Sequence, residues 1–393
     1  MDKHPDLLKN CNETFSGFRM GGSELKSLLF GNGVTIQFGG KEYLNEKIIK
    51  RAINNINIKN FPGEIYPREI KDWLLLLHSR IPAIVSGEYD DCAYTTGMKS
   101  SLIHFKERYA DTTPKTKVHE IGFEDYFLVH FLVCFREKIV NPEKYHIKES
   151  LRCLFIDSIY NNGKIQNLYH QYPGKFVEFL KSFDNIYTTN YDWNVEKATG
   201  YSVQYLHGAF HHISEVYDPE SFRNQLSDSP IKNTTLIKGF EHLYSNALTS
   251  YSGEDKKFAL DMGISANIAI EKFVRGLKEK PELWDQVREW EKSDSQILKN
   301  MYEGIVLKTK QEDLRFKENK SLYNISELTG ELSILGLSPF NDNHIFEAIM
   351  NNQQLNEIIY YYYDPHEANV VKSLLSSKNI KYVNSRELWA SFS

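Results

Sequence analysis

The chain has 393 residues, 41% of them hydrophobic and 25% charged, with a formal net charge of −5. Such a length buries a sizeable core and leaves room for roughly two or three domains. The composition is that of an ordinary soluble globular protein, and the acidic balance speaks against nonspecific nucleic-acid binding, which needs a basic face. The opening MDKHPDLLKN lacks the apolar stretch of a secretory leader. The longest apolar run, Tyr126–Phe135, is interrupted by His130 and is too short to span a bilayer. No membrane partner, no direct sequence-specific nucleic-acid partner and a cytoplasmic location are therefore expected. The four cysteines, Cys11, Cys92, Cys134 and Cys153, include no Cys-x-x-Cys pair, so no zinc module and no metal are expected. Cys134 reads as a core residue, and Cys92 as inert for want of an activating cation.

Residues 1–25 read as a loosely packed lead-in to a strand at Leu25–Phe30. Gly31-Asn32-Gly33-Val34-Thr35 follows at once. A strand running into Gly-x-Gly signals a phosphate cradle, because glycine lets backbone approach a pyrophosphate closely. The third glycine of a dinucleotide fingerprint is missing, since Ile36 stands there, and no ribose-binding acid follows at the usual distance, so an ordinary dehydrogenase fits poorly. Leu44–Ile56 carries helical apolar spacing up to a break at Pro62-Gly63. Residues 68–185 read as mostly helical, with segments at Ile70–Leu77, Tyr126–Val140, Leu151–Tyr160 and Phe176–Phe183.

At Phe183–Gly208 the pattern returns to strands. Ile186-Tyr187 leads into Thr189-Asn190-Tyr191-Asp192, and Val203–Leu206 leads into His207-Gly208. Two strands thus end in an amide, a carboxylate and an imidazole. In an open α/β sheet ligands bind outside the carboxyl ends of strands, where such groups orient a polar ligand and move a proton. His211 and His212 are neighbours expected to point apart, which argues against a metal site there. Beyond them, Lys256–Leu277 and Glu282–Tyr302 read as amphipathic helices and Lys308–Lys320 as a solvated charged stretch. Strand, helix and strand resume after residue 330: Leu332–Leu335, Asp342–Asn351, Ile358–Tyr363, Glu367–Ser376 and Ile380–Val383. Gly336-Leu337-Ser338 after the first of these suits a ribose or phosphate. Asn341, Asp342 and His344 read first as helix-start residues, and so do Asp364, Pro365 and His366.

Three of these pieces, in this order, resemble the sirtuin-like superfamily, in its divergent bacterial anti-phage defence branch. The Gly-Ala-Gly loop of that family is similar to Gly31-Asn32-Gly33-Val34-Thr35, its Gln-Asn-Ile-Asp to Thr189-Asn190-Tyr191-Asp192, its His-Gly to His207-Gly208 and its Gly-Thr-Ser to Gly336-Leu337-Ser338. The motifs cover roughly a tenth of the chain, and the family's four-cysteine zinc module has no counterpart. The resemblance implies an α/β fold with a Rossmann-like parallel sheet and large helical insertions. It implies one sirtuin-like NAD-binding unit over 1–393, with its sheet from 25–60, 184–212 and 330–393 and insertions at 61–183 and 213–329. It implies NAD+ as substrate, cleaved at the nicotinamide–ribose bond to nicotinamide and ADP-ribose by an infection-triggered, NAD-depleting effector.

The roles it implies are Asn190 for orienting water and ribose, His207 as base or ribose-hydroxyl partner, and Asp192 on the carboxamide. Gly31, Asn32, Gly33, Thr35, Thr189, Gly336 and Ser338 would bind the dinucleotide. A homo-oligomer, or assembly with a HerA-type ATPase, would supply control. The alternatives are an NAD-dependent protein deacylase, and a noncatalytic NAD or ADP-ribose sensor or scaffold.

Overall fold

A computed structural model describes residues 25–58, 69–140, 143–213, 238–248, 263–310, 312, 321–340 and 342–392. All of the expected lead-in but Leu25, the Pro62-Gly63 break, Asn341, Cys11 and most of Lys308–Lys320 lie outside these residues. Six strands form one all-parallel sheet: β1 (Lys26–Phe30), β2 (Asn185–Thr188), β3 (Gln204–Tyr205), β4 (Gly330–Leu335), β5 (Leu355–Tyr362) and β6 (Ile380–Asn384). Their order is β3-β2-β1-β4-β5-β6, which is the order of a Rossmann-like sheet and puts its topological switch point between β1 and β4.

Strand residues alternate between two apolar layers, as pleating requires. Leu29, Leu332, Ile334, Ile358 and Tyr360 face one side, where they meet α12 (Ser321–Ser326), α13 (Asn343–Asn351) and α14 (Pro365–Leu374). Leu28, Phe30 and Leu335 face the other, against α1 (Asn32–Gly39), α7 (Gly174–Lys181), α8 (Asn194–Thr199) and the end of α15 (Ser385–Ser391). Helix α7 shows the local logic. It starts after Pro173 and buries Phe176 and Leu180, four residues apart, on one face. In the tyrosine run Tyr360 is buried, whereas Tyr363 lies past the strand end, exposed under the Arg386 guanidinium.

Between β1 and β2 the chain builds a helical body: α2 (Asn45–Ile58), α3 (Ile70–Val85), α4 (Thr96–Arg108), α5 (Asp125–Arg136) and α6 (Glu143–Tyr160). It has its own apolar core, which also takes in Tyr191 and Phe210 from the loops after β2 and β3, and Leu243, Tyr244, Ala247 and Leu248. Between β3 and β4, α9 (Gly263–Glu279), α10 (Trp284–Arg288) and α11 (Gln296–Lys310) share a small core of Val274, Leu277, Val287 and Ile305. The helix expected over Glu282–Tyr302 is broken. Ser293 is extended and its hydroxyl accepts from the Ser295 N–H at 3.1 Å, a local bond that competes with helix propagation.

No helix among the described residues is long and apolar enough to cross a membrane. Cys134 is buried, its thiol pushed up to about 12 by burial. Cys92 departs from expectation in having a cation beside it, Arg136 Nε at 3.5 Å, yet burial still raises its pKa.

Candidate functional site

The first part of the site is the junction of β1 and β4 at the switch point. The Gly31 N–H donates to Leu335 O at 3.0 Å, and the Gly33 N–H to Gly336 O at 2.9 Å. A Cβ on Gly33 would lie 2.5 Å from Gly336 Cα, and one on Gly31 would lie 2.7 Å from Gly336 O. Gly336 itself sits at φ +66. The glycines therefore let two backbones touch, and both amides expected to cradle phosphate are engaged by β4. Asn32 is exposed at the start of α1, with its Nδ2 held by Tyr43 O at 3.1 Å. Ser338 faces α14, where its hydroxyl bonds Glu367, a half-buried carboxyl whose pKa burial raises.

The second part follows β2. Thr188 Oγ1 donates to Phe30 O and accepts the Asn190 N–H, and the Thr189 N–H donates to Phe30 O. These bonds carry the chain over the end of β1. There Asn190 Nδ2 donates to Thr35 Oγ1 at 2.9 Å, with both residues buried. Thr35 thus anchors the asparagine from the first turn of α1. Asp192 is also buried. Its Oδ1 accepts from the Asn194 N–H at 3.1 Å and from Asn194 Nδ2 at 2.6 Å, while Oδ2 is buried without a hydrogen bond. Burial raises its pKa to about 6, with the bonds from Asn194 and the nearby Thr35 hydroxyl pulling down. One carboxylate oxygen secures the turn into α8, and the other is buried with the Thr35 hydroxyl nearby.

The third part joins β3 to β4. His207 follows β3, and Asp342 and His344 flank the start of α13. The two Nε2 atoms lie 3.2 Å apart, and Asp342 Oδ1 lies 3.8 Å from His207 Nε2. All three side chains are buried, and one ligand atom from each falls within 4.8 Å of the others. Because β2 and β1 lie between β3 and β4 in the sheet, this contact closes over the carboxyl ends of the central strands. Burial holds the Tyr191 phenol, between Asn190 and Asp192, well above its usual pKa, and the Glu124 and Asp342 charges push the same way.

The His207 backbone is held from the 241–248 segment. The Leu248 N–H donates to His207 O at 3.2 Å, and Asn246 Oδ1 accepts from the Ala209 N–H at 2.8 Å. Gly208, at φ +84, is required there, since a Cβ would lie 1.9 Å from Asn246 O. Leu248 adopts φ +53, a conformation bulky residues hold only when their surroundings impose it.

The chain matches no family model, no curated protein and no solved structure. The chemistry of the edge therefore rests on its geometry.

Of the residues singled out in the sequence, Thr35, Asn190 and Asp192 stand together past the carboxyl ends of β1 and β2, and His207 follows the neighbouring strand β3. Gly31, Gly33 and Gly336 form the packed junction beneath, Thr189 ties β2 to β1, and Ser338 turns toward α14. Asp342 and His344 do stand at the start of α13, as the sequence suggests, and they are also the partners of His207. Asp342 flanks α13 without a side-chain cap bond. His211 and His212 do not point apart as expected: their ring centroids lie 4.5 Å apart, both against Tyr205, and His211 pairs with Glu196 at 3.4 Å.

Proposed function

We propose that this protein hydrolyses NAD+ at the nicotinamide–ribose bond. The observation that carries the reading is the delivery of Asn190, Asp192 and His207 to one carboxyl edge beside the β1–β4 switch point, where doubly wound sheets take dinucleotides. In this reading the second Asp192 oxygen, Oδ2, accepts the nicotinamide carboxamide N–H. Asn190, fixed by Thr35, orients the ribose and a water. The C1′–N bond breaks to give neutral nicotinamide and an oxocarbenium-like ribose. Water then adds at C1′ and its proton passes to His207, so NAD+ and water give nicotinamide, ADP-ribose and a proton. Fixed dipoles at a buried edge supply most of the stabilisation. The pyrophosphate is held by the dipole of α1 rather than by the two glycine amides, which β4 already uses.

Chromatography of NAD+ incubated with purified protein tests the reading. Equimolar nicotinamide and ADP-ribose are expected. Transfer of an acyl group from an acylated peptide would replace it with the deacylase reading, and NAD+ binding without turnover would replace it with the sensor reading. An enzyme that empties the NAD+ pool needs restraint, and we place that restraint in assembly, either with further copies of the chain or with a HerA-type ATPase. Light scattering alone and with such an ATPase, alongside the same assay, checks this. A monomer fully active in both conditions would remove it.

A further inference from the structure

The contact between His207 and His344 allows two explanations. One is an N–H···N hydrogen bond between neutral imidazoles, which the 3.2 Å separation fits. The other is a pair of metal ligands. Nitrogen atoms bound to one tetrahedral ion at about 2.0–2.1 Å lie roughly 3.4 Å apart, which is nearly the spacing found. A hydrogen-bonded pair does not call for a carboxylate on the same side. Here Asp342 Oδ1 lies 3.8 Å from His207 Nε2, and the three donor atoms fall within 4.8 Å of one another. Among the described residues this is the one grouping of three histidine, cysteine or acidic side chains with ligand spacing. Two neutral imidazoles and one carboxylate balance half the charge of a divalent ion, and a small movement of the Asp342 side chain brings the third ligand in. The donor set, two nitrogens and one oxygen, suits zinc and its first-row neighbours rather than magnesium or calcium. The N-terminal end of α13 disfavours a cation there, and the Asp342 carboxylate at that same end offsets it.

We propose that His207, Asp342 and His344 bind one divalent transition-metal ion of the zinc class, and that the ion switches the catalytic edge off. The ion and the ribose-side role of His207 compete for one atom, Nε2, so occupancy withdraws the base. The switching half rests on the NAD+ reading, whereas the metal half stands without it. The two far-separated loops that supply the ligands, after β3 and after β4, are the ones that close over the central strands. Binding would pin them together.

The test uses the full chain freed of metal by chelation and titrated with Zn2+ by calorimetry, with elemental analysis after desalting. Co2+ substitution gives a visible absorption spectrum that reports coordination. One Zn2+ per chain is expected, with affinity weakened by at least about tenfold in His344→Asn and in Asp342→Asn, each checked for folding by circular dichroism. Absence of stoichiometric binding to the parent chain would overturn the site whatever the variants do. Affinity unchanged in the folded variants would overturn the ligand assignment. In turnover assays Zn2+ is expected to slow NAD+ cleavage and a chelator to restore it. Stoichiometric zinc without any change in turnover would overturn the switch and leave the metal site. No NADase activity under any condition, with zinc bound, would mark failure of the NAD+ reading alone.

Discussion

Asn190 and His207 differ in what holds them, and that sets how their variants should behave. Asn190 loses one neutral hydrogen bond, to Thr35 Oγ1, when cut back to alanine, a cost of about 1 kcal/mol. His207→Ala leaves the His207 backbone bond from Leu248 in place. Both proteins are expected to fold and to turn over NAD+ at least about 10²-fold more slowly, the scale of a lost acid–base or electrostatic group. Wild-type turnover in either folded variant would remove that residue from the mechanism.

Asp192 makes a separate prediction through pH. Its folded pKa, about 6, lies above the ordinary 3.8 because burial disfavours the carboxylate. The stability lent by the neutral form is therefore complete below pH 3.8 and lost as pH rises through about 6, on the order of 3 kcal/mol in all. Asp192→Asn keeps an acceptor for Asn194 and cannot ionise. It should be more stable than the parent at pH 8, by about 1–3 kcal/mol, with the gap closing toward pH 4. Denaturant titrations across that range check it, and a gap that widens on acidification would refute the assignment.

At the scale of elements, the glycine loop has a packing duty that changes what its variants report. Gly33→Val would set a branched side chain against Gly336 Cα, 2.5 Å from the first added carbon. Backbone cannot yield as a flexible side chain does, so the β1–β4 junction should lose about 2–3 kcal/mol as well as NAD+ affinity. Melting and calorimetry on the same variant separate the two effects. Wild-type stability would show that the junction relaxes freely.

The strands at this junction were legible in the sequence because β1 and β4 are buried on both faces and so appear as apolar runs, whereas β5 buries one face, through Ile358 and Tyr360, and leaves the other partly exposed. β3 has only two paired residues, fewer than the apolar run Val203–Leu206 suggested, because the chain turns off the edge after Leu206. The order of motifs brought Asn190, Asp192 and His207 to one edge. The meeting of His207 with His344, across 137 residues of sequence, was not legible, since it depends on which strands become neighbours. The glycines were legible as a turn but not as a backbone contact, because a sequence does not say what lies where a Cβ would point.

Across the whole molecule, the helical body between β1 and β2 supports the site as well as covering the sheet. Arg152 of α6 is fully buried. It pairs with Glu149 and donates to the carbonyls of Leu243, Ser245 and Ala247. Two other α6 residues grip the same segment. Asp157 meets His242 at 3.0 Å, and the Tyr160 ring stacks on His242 at 4.0 Å. The 241–248 segment in turn holds the backbone of His207 through Leu248 and that of Ala209 through Asn246. A chain of fixed contacts thus runs from the insertion to the candidate site, which would give a partner docked on the helices a physical route to it. Arg152→Met removes the charge that satisfies Glu149 and orphans three carbonyls. Breaking one side of a buried pair costs about 3–5 kcal/mol. Arg152→Met combined with Glu149→Gln should recover part of that stability, because no buried charge is left unpaired, but not the carbonyl bonds. Hydrogen exchange of the Leu248 and Ala209 amides should accelerate in both proteins, and NAD+ turnover should fall with it. Parental exchange at both amides in the folded double variant would show that the 241–248 segment holds itself, and the route through α6 would be lost.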